Sequence, residues 1–188
     1  MSTYIIADLN LFIDAQRKKM GYVSFDQMNN DIIKRWNKLI KEDDEVIIMG
    51  CNGGGTFEQM KSVFSRLNGK LTCLSYHLNN KFTKEQWREI GFKHFWTVSM
   101  YNELPDGREI VYLNNYMSEK NRKKFELIVV DSQNPIEGMV GDHVISVDAA
   151  KWQYSPLNTA ELLTIYNNMQ EWESMEDGTE TRKDVKEE

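Results

Sequence analysis

Three polar side chains directly follow two short apolar segments of the chain. Tyr4–Ala7 is followed by Asp8 and Asn10, and Val46–Met49 is followed by a glycine and Cys51. A carboxylate, an amide and a thiol can ligate a metal ion, and the amide can also donate a hydrogen bond to a phosphate ester. Whether they act on one ligand depends on the elements that carry them.

The elements around these residues are predicted to be a strand, a helix and a second strand. The two apolar segments are typical of buried strands. Between them, Ser24 and Gln27 form a capping box, and apolar residues then recur at spacings of three and four. Parallel strands joined by a helix end at the same edge of a sheet, where α/β proteins bind ligands. We therefore expect the polar residues after the strands to lie together: Asp8, Asn10, Cys51 and Asn52.

The rest of the chain continues the alternation of strands and helices. A helix opened by Thr56 and Gln59 leads to a third strand, and a short helix opened by Thr83 and Gln86 ends at Gly91. The further predicted strands are Phe95–Met100, Tyr101–Leu104, Arg108–Leu113, Phe125–Val130 and His143–Val147, the second and third of them forming a hairpin. A last helix begins at Asn158.

The glycine run Gly53–Gly55 lies between the second strand and the next helix. Its backbone amides could cradle an anion at the start of that helix. A tight turn after the strand is the simpler interpretation. No Gly-Lys-Ser/Thr sequence follows, so the loop is not a P-loop.

The helix between the first two strands carries a family pattern. Met28-Asn29, Trp36-Asn37 and Asp43-Asp44 precede the second strand in the order found in calcineurin-like metallophosphoesterases of the small form common in phages and bacteria. The chain resembles that family over most of residues 4–165, including Trp152–Pro156. The resemblance implies an α/β fold: a metallophosphoesterase-like four-layer sandwich, with two mixed β-sheets flanked by helices.

In that family, side chains at strand ends hold two divalent metal ions, which polarise a phosphate ester and activate a water. The matching positions in this chain are mostly substituted. The carboxylate of Asp8 remains, whereas Cys51 replaces the aspartate that bridges the two metals, and His77 stands at the proton-donor position. The full set of vestigial positions is Asp8, Asn10, Cys51, Tyr76, His77, Asn115, Asp131 and Gln133.

The loss of these ligands implies a pseudoenzyme with no catalytic residues, no metal and no cofactor. The expected function is that of a protein-binding module. The chain also resembles a staphylococcal phage inhibitor that binds the sigma factor of the host RNA polymerase. That likeness implies a phage-encoded modulator of a host machine, with a host protein such as sigma factor as its partner, and transcription inhibition in the host cytoplasm.

Two other functions stay open on the sequence. An active metal-dependent phosphodiesterase with a rebuilt site would use Asp8, Cys51, His77 and Asp131. A metal-free nucleotide-binding protein would use the hydrogen-bonding groups of the former phosphate pocket: Asn10, Asn52, the amides of Gly53–Gly55, Asn114 and Asn115.

The composition favours one domain, residues 1–172, followed at 173–188 by an acidic flexible tail or the frayed end of a helix. The chain has 188 residues and a net charge of −6, which gives no general attraction to nucleic acid or anionic membranes. Its two cysteines make no disulfide framework and fit a reducing cytoplasm. We see neither an apolar run of about 20 residues nor a secretory signal, so we expect no membrane partner and a cytoplasmic location. Exposed aromatic residues are the first interface candidates, with Trp172 among them.

Overall fold

The computed structural model describes residues 1–74, 81–97, 99–103, 107, 109–113, 127–130 and 144–180, with backbone alone at 101–103, 113 and 170–180. These residues form an α/β fold of two mixed β-sheets and helices. The strands are β1 Thr3–Ala7, β2 Glu45–Met49, β3 Lys70–Leu74, β4 Phe92–Trp96, β5 Ser99–Glu103, β6 Glu109–Leu113, β7 Leu127–Val130, β8 Val144–Ser146 and β9 Leu157–Asn158. The helices are α1 Asp14–Lys19, α2 Phe25–Leu39, α3 Phe57–Phe64, α4 Lys84–Ile90 and α5 Thr159–Glu180.

The first sheet has the order β4-β3-β2-β1-β9. Strands β1 to β4 are parallel, and β9 pairs with β1 in the antiparallel direction. Each parallel strand lies beside its predecessor in the chain, with a helical connection between them. Because right-handed crossovers in one direction place their helices on one face, α2, α3 and α4 cover the same side of this sheet.

The core on that side explains the pattern of apolar residues in the helices. Buried residues of the strands and helices form one cluster there, which includes Ile48, Trp36, Phe64 and Trp87. The indole N–H of Trp36 donates to the carbonyl of Asn68 at 2.9 Å, so its one polar group is satisfied inside the core.

The second sheet has the order β5-β6-β7-β8. Strands β5 and β6 are antiparallel, and β6, β7 and β8 are parallel. A second core cluster joins Ile47 and Met49 of the first sheet to Tyr112 and Val129 of the second. Helix α5 adds buried residues such as Leu162 to this cluster. The two sheets therefore pack against each other, as in a sandwich.

The predicted helix starts are confirmed, with one difference in detail. Thr56 and Thr83 open α3 and α4 with complete capping boxes. Asn158 and Glu161 make the same pair of bonds before α5. At α2, the hydroxyl of Ser24 accepts from the N–H of Gln27 as predicted, but Gln27 accepts from Val23, one residue before the expected Ser24.

Several predicted boundaries are wrong. The predicted strand Phe95–Met100 spans the end of β4 and the start of β5, because β4 begins at Phe92, directly after Gly91 ends α4. The sequence interpretation assigned no element to α1 or β9. Helix α5 extends to Glu180, so residues 173–180 are helical, which the interpretation as a helix end allows. The flexibility of the tail, and the four-layer form of the sandwich, stay predictions.

None of the helices in the described ranges is long and apolar enough to cross a membrane.

Candidate functional site at the ends of β1 and β2

The loops that follow β1 and β2 are joined by backbone hydrogen bonds. The N–H of Asp8 donates to the carbonyl of Met49 at 3.0 Å, and the N–H of Asn10 donates to that of Cys51 at 3.1 Å. The N–H of Leu11 donates to the carbonyl of Asn52 at 3.2 Å. The sequence prediction that these polar residues meet at one edge of the sheet is confirmed.

The carboxylate of Asp8 is directed into the protein. Asp8 is 0% exposed, and its Oδ1 accepts a hydrogen bond from the N–H of Cys51 at 2.8 Å. The side-chain amide of Asn10 in turn donates to the carbonyl of Asp8 at 3.0 Å. The Asp8 carboxylate therefore fastens the two loops to each other, and the Asn10 side chain stabilises the turn of its own loop.

The loop after β1 has an unusual backbone. Asp8, Asn10 and Phe12 have φ values of 53°, 48° and 60°. Aspartate and asparagine tolerate this left-handed region better than other residues with a Cβ, but phenylalanine does so at a cost of about 1–2 kcal/mol. Such strain persists only where surrounding contacts impose it, and it is frequent at functional sites.

Cys51 is a half-buried free thiol. Burial is the largest influence on its pKa and raises it; a hydrogen bond from the N–H of Gly53 lowers the pKa in part, and the charge of Asp8 raises it again. The thiolate is the form that ligates metals and attacks electrophiles, and a raised pKa disfavours it near neutral pH. In the free protein, Cys51 is therefore poorly suited to attack an electrophile.

The glycine run forms a tight turn against the loop after β1. A Cβ on Gly53, whose φ is 148°, would lie 2.3 Å from the carbonyl oxygen of Leu11. The N–H of Gly54 donates to the same carbonyl at 2.8 Å, so this amide is used inside the protein. The ammonium group of Lys81 donates to the carbonyl of Gly54. These contacts favour the interpretation of the glycine run as a tight turn. They do not favour its interpretation as an anion-binding loop.

Asn52 and Cys73 meet behind the loops. Asn52 is 0% exposed, and its Nδ2 lies 3.7 Å from the sulfur of Cys73. Asn52 was predicted to be one of the polar groups of a nucleotide pocket. Its burial places it in the wall of the site, out of contact with solvent.

Residues 147–154 connect the site to the second sheet. The carbonyl of Val147 accepts from the N–H of Ala7, and its N–H donates to the carbonyl of Val130, which joins the ends of β1 and β7. The buried hydroxyl of Tyr154 accepts from the side chain of Gln16 at 3.2 Å. Burial raises the pKa of the Tyr154 hydroxyl, so it stays protonated.

The other predicted site residues are outside the described part of the chain: Tyr76, His77, Asn114, Asn115, Asp131 and Gln133. The side chain of Trp172 is outside it as well. Among the residues that are described, no group of three or more His, Cys, Asp or Glu is placed to hold a metal ion.

The sequence interpretation missed two features of this site. The left-handed backbone at residues 8–12 had a partial signal, since Asp8 and Asn10 are residue types that adopt it readily. Phe12 gave no such signal. The contact of Gln16 in α1 with Tyr154 spans 138 residues of sequence, so local patterns could not reveal it.

Comparisons with known proteins agree with the fold and go no further. No protein-family model matches the chain, and no curated protein does. The chain is similar to the crystal structure of a protein of unknown function, AQ665 from Aquifex aeolicus, with a TM-score of 0.63 and 12% sequence identity. The match covers 87% of this chain and 98% of that one. At this identity, the likeness shows a shared fold alone.

Proposed function

We propose that this chain is a phosphoesterase-like protein, a sandwich of the calcineurin-like type, that has lost catalysis and acts by binding another protein. The observation that carries this proposal is the hydrogen bond from the N–H of Cys51 to the buried carboxylate of Asp8. A catalytic aspartate has to present its oxygens to the metal and substrate. Here one of those oxygens accepts from the neighbouring loop.

The donor set does not fit a pair of divalent metal ions. At the position of the bridging aspartate, which supplies two oxygen donors in the family that the chain resembles, Cys51 offers a single sulfur. Asn10 places an amide where the family that the chain resembles has an imidazole ligand. We therefore derive no hydrolytic step for this site.

The proposed partner is a protein of a bacterial host, in its cytoplasm. The sharper form of the proposal takes the sigma factor of RNA polymerase as that partner, which would make the chain a phage-encoded inhibitor of transcription. This part rests on the family resemblance of the sequence. The acidic net charge of −6 suits a basic partner surface.

A capture experiment tests the proposal. Tagged protein is incubated with bacterial lysate, and purified sigma factor is then tested by gel filtration. We expect a stoichiometric complex that forms equally with wild type and with Asp8→Asn, which keeps the acceptor oxygen. The same preparations are assayed for hydrolysis of bis(4-nitrophenyl) phosphate with added Mn²⁺. Turnover by the wild type that Asp8→Asn abolishes would overturn the proposal and support the rebuilt hydrolase.

A further inference from the structure

The surface formed by β4 and α4 has a charge opposite to that of the whole chain. Residues 81–96 contain four cationic side chains and two carboxylates, whereas the chain as a whole has a net charge of −6. We define the β4–α4 surface by the exposed residues Lys84, Arg88, Lys93, His94 and Trp96 and the half-buried Phe95. The carboxylates of Glu85 and Glu89 are exposed in the same region.

Two cations of α4 lie over the ring of Phe95. The ammonium nitrogen of Lys84 is 5.3 Å from the ring centroid, and the guanidinium carbon of Arg88 is 5.7 Å from it. The ring of Phe95 itself packs at 6.4 Å from that of Phe92, which belongs to the core. The aromatic ring thus holds two positive charges in fixed places on the surface.

Trp96 lies on the other face of the same strand. It pairs with Leu74, whose side chain faces the core between the sheets, but Trp96 itself is 51% exposed. Among the described residues with large apolar side chains that are exposed, Trp96 is the aromatic one. Tryptophan and arginine are the residue types that most often dominate binding energy at protein interfaces.

Strand β4 is also an edge of the first sheet as described. An edge strand presents backbone donors and acceptors to which a further strand can pair. The pairing of β3 with β4 shifts between Leu71 and Thr72, and Lys93 is the extra residue. Lysines and bulges at an edge limit uncontrolled pairing. A partner strand with negative charge would offset the charge of Lys93.

We propose that the β4–α4 surface binds an extended, acidic and apolar segment of a partner protein, which lies along β4 as an added strand. The inference rests on the proposed function of binding another protein and names the surface. Side chains of an added strand alternate between the two faces. Acidic side chains on one face would meet Lys84 and Arg88, and apolar side chains on the other would meet Trp96.

A nucleic acid fits this surface less well. Glu85 and Glu89 are interspersed with the cations of α4, and Glu85 lies 3.6 Å from Arg88. A phosphate backbone is a continuous line of negative charge and is repelled by such carboxylates. An acidic peptide places its charges at every second residue and can avoid them.

The test measures binding of a short fluorescein-labelled peptide that alternates glutamate and leucine, by fluorescence anisotropy. Two variants change the surface: Trp96→Ala, and the double charge reversal of Lys84 and Arg88 to glutamate. A matched control reverses Lys34 and Lys38, two exposed lysines with the same spacing on α2. We expect the first two variants to weaken binding by about tenfold or more, and the control to change it less than about twofold.

Other results would overturn the inference. These are equal binding by all variants, no binding of the peptide to the wild type, or tighter binding of a labelled oligothymidylate than of the peptide. The lysate experiment separates this inference from the proposed function. If Trp96→Ala still captures the partner that wild type captures, the function stands and the assigned surface is wrong.

Discussion

Replacement of Asp8 by alanine tests whether its carboxylate holds the protein together. The change removes the acceptor of the Cys51 N–H bond, which is 2.8 Å long and part-buried, on an aspartate that is itself 0% exposed. A hydrogen bond to a charged group contributes about 1.5–3 kcal/mol. Alanine also adopts the φ of 53° less readily than aspartate, which adds roughly 1 kcal/mol. We expect the free energy of unfolding to fall by roughly 2.5–4 kcal/mol.

The measurement is urea unfolding followed by circular dichroism, with thermal melts as a second assay. For a chain of this size, such a loss lowers the Tm by roughly 10 °C. Asp8→Asn keeps an acceptor oxygen and tolerates the left-handed backbone, so it should cost only about 1 kcal/mol. Asp14→Ala is the surface control, since it removes exposed ion pairs and should lower the Tm much less than Asp8→Ala does.

The opposite result would refute the structural role of Asp8. Residues selected for catalysis are often held at a cost in stability, and their removal then leaves a protein that is as stable or more stable. If Asp8→Ala unfolds at the same urea concentration as the wild type or at a higher one, the carboxylate is a functional group, and the pseudoenzyme interpretation loses its main support.

Three further predictions concern the same region and α2. Gly53→Ala should lower the Tm, because the added Cβ would lie 2.3 Å from the Leu11 carbonyl oxygen; an unchanged melt would contradict this. Cys51 should react slowly with iodoacetamide at neutral pH, because burial raises its pKa. Cys51→Ser is the control, and labelling as fast as that of a small thiol in solution would contradict this prediction. Burial and the bond to Asp31 raise the pKa of Tyr22 to about 12, so the unfolded chain releases this proton first and stability should fall between pH about 10 and about 12. In urea unfolding, Tyr22→Phe should remove this part of the fall in stability with pH. If stability falls equally steeply with pH in the wild type and in the variant, the prediction is wrong.

The framework of the first sheet could be predicted because its signals are local. Capping residues such as Thr56 and Thr83 bond within their own helix, and the apolar strands are continuous in sequence. The right-handed crossover then places the ends of β1 and β2 at one edge without any further information. The meeting of Asp8 and Cys51 follows from these rules.

The remaining features depend on contacts between distant residues. The break between β4 and β5 at Thr97 interrupts a run of apolar and aromatic residues that locally favours one strand. The direction of the Asp8 carboxylate depends on a left-handed backbone, and the loop contacts around Leu11 and Gly53 impose that conformation. No periodicity in the sequence encodes this backbone conformation. Asp8 could therefore be placed at the site from the sequence, but the Cys51 N–H could not be named as the donor to its carboxylate.

The candidate site at the ends of β1 and β2 is distant from the β4–α4 surface. In the first sheet, β4 lies three strands from β1, or about 14 Å at the usual spacing. Substitutions that far apart, with no shared partner, have additive effects on stability. Asp8→Asn and Trp96→Ala should therefore add within about 0.5 kcal/mol in urea unfolding, and Asp8→Asn should leave peptide binding unchanged. A coupling above about 1 kcal/mol would mean that the strand-end loops and the β4–α4 surface change together, and the former catalytic site would then take part in binding.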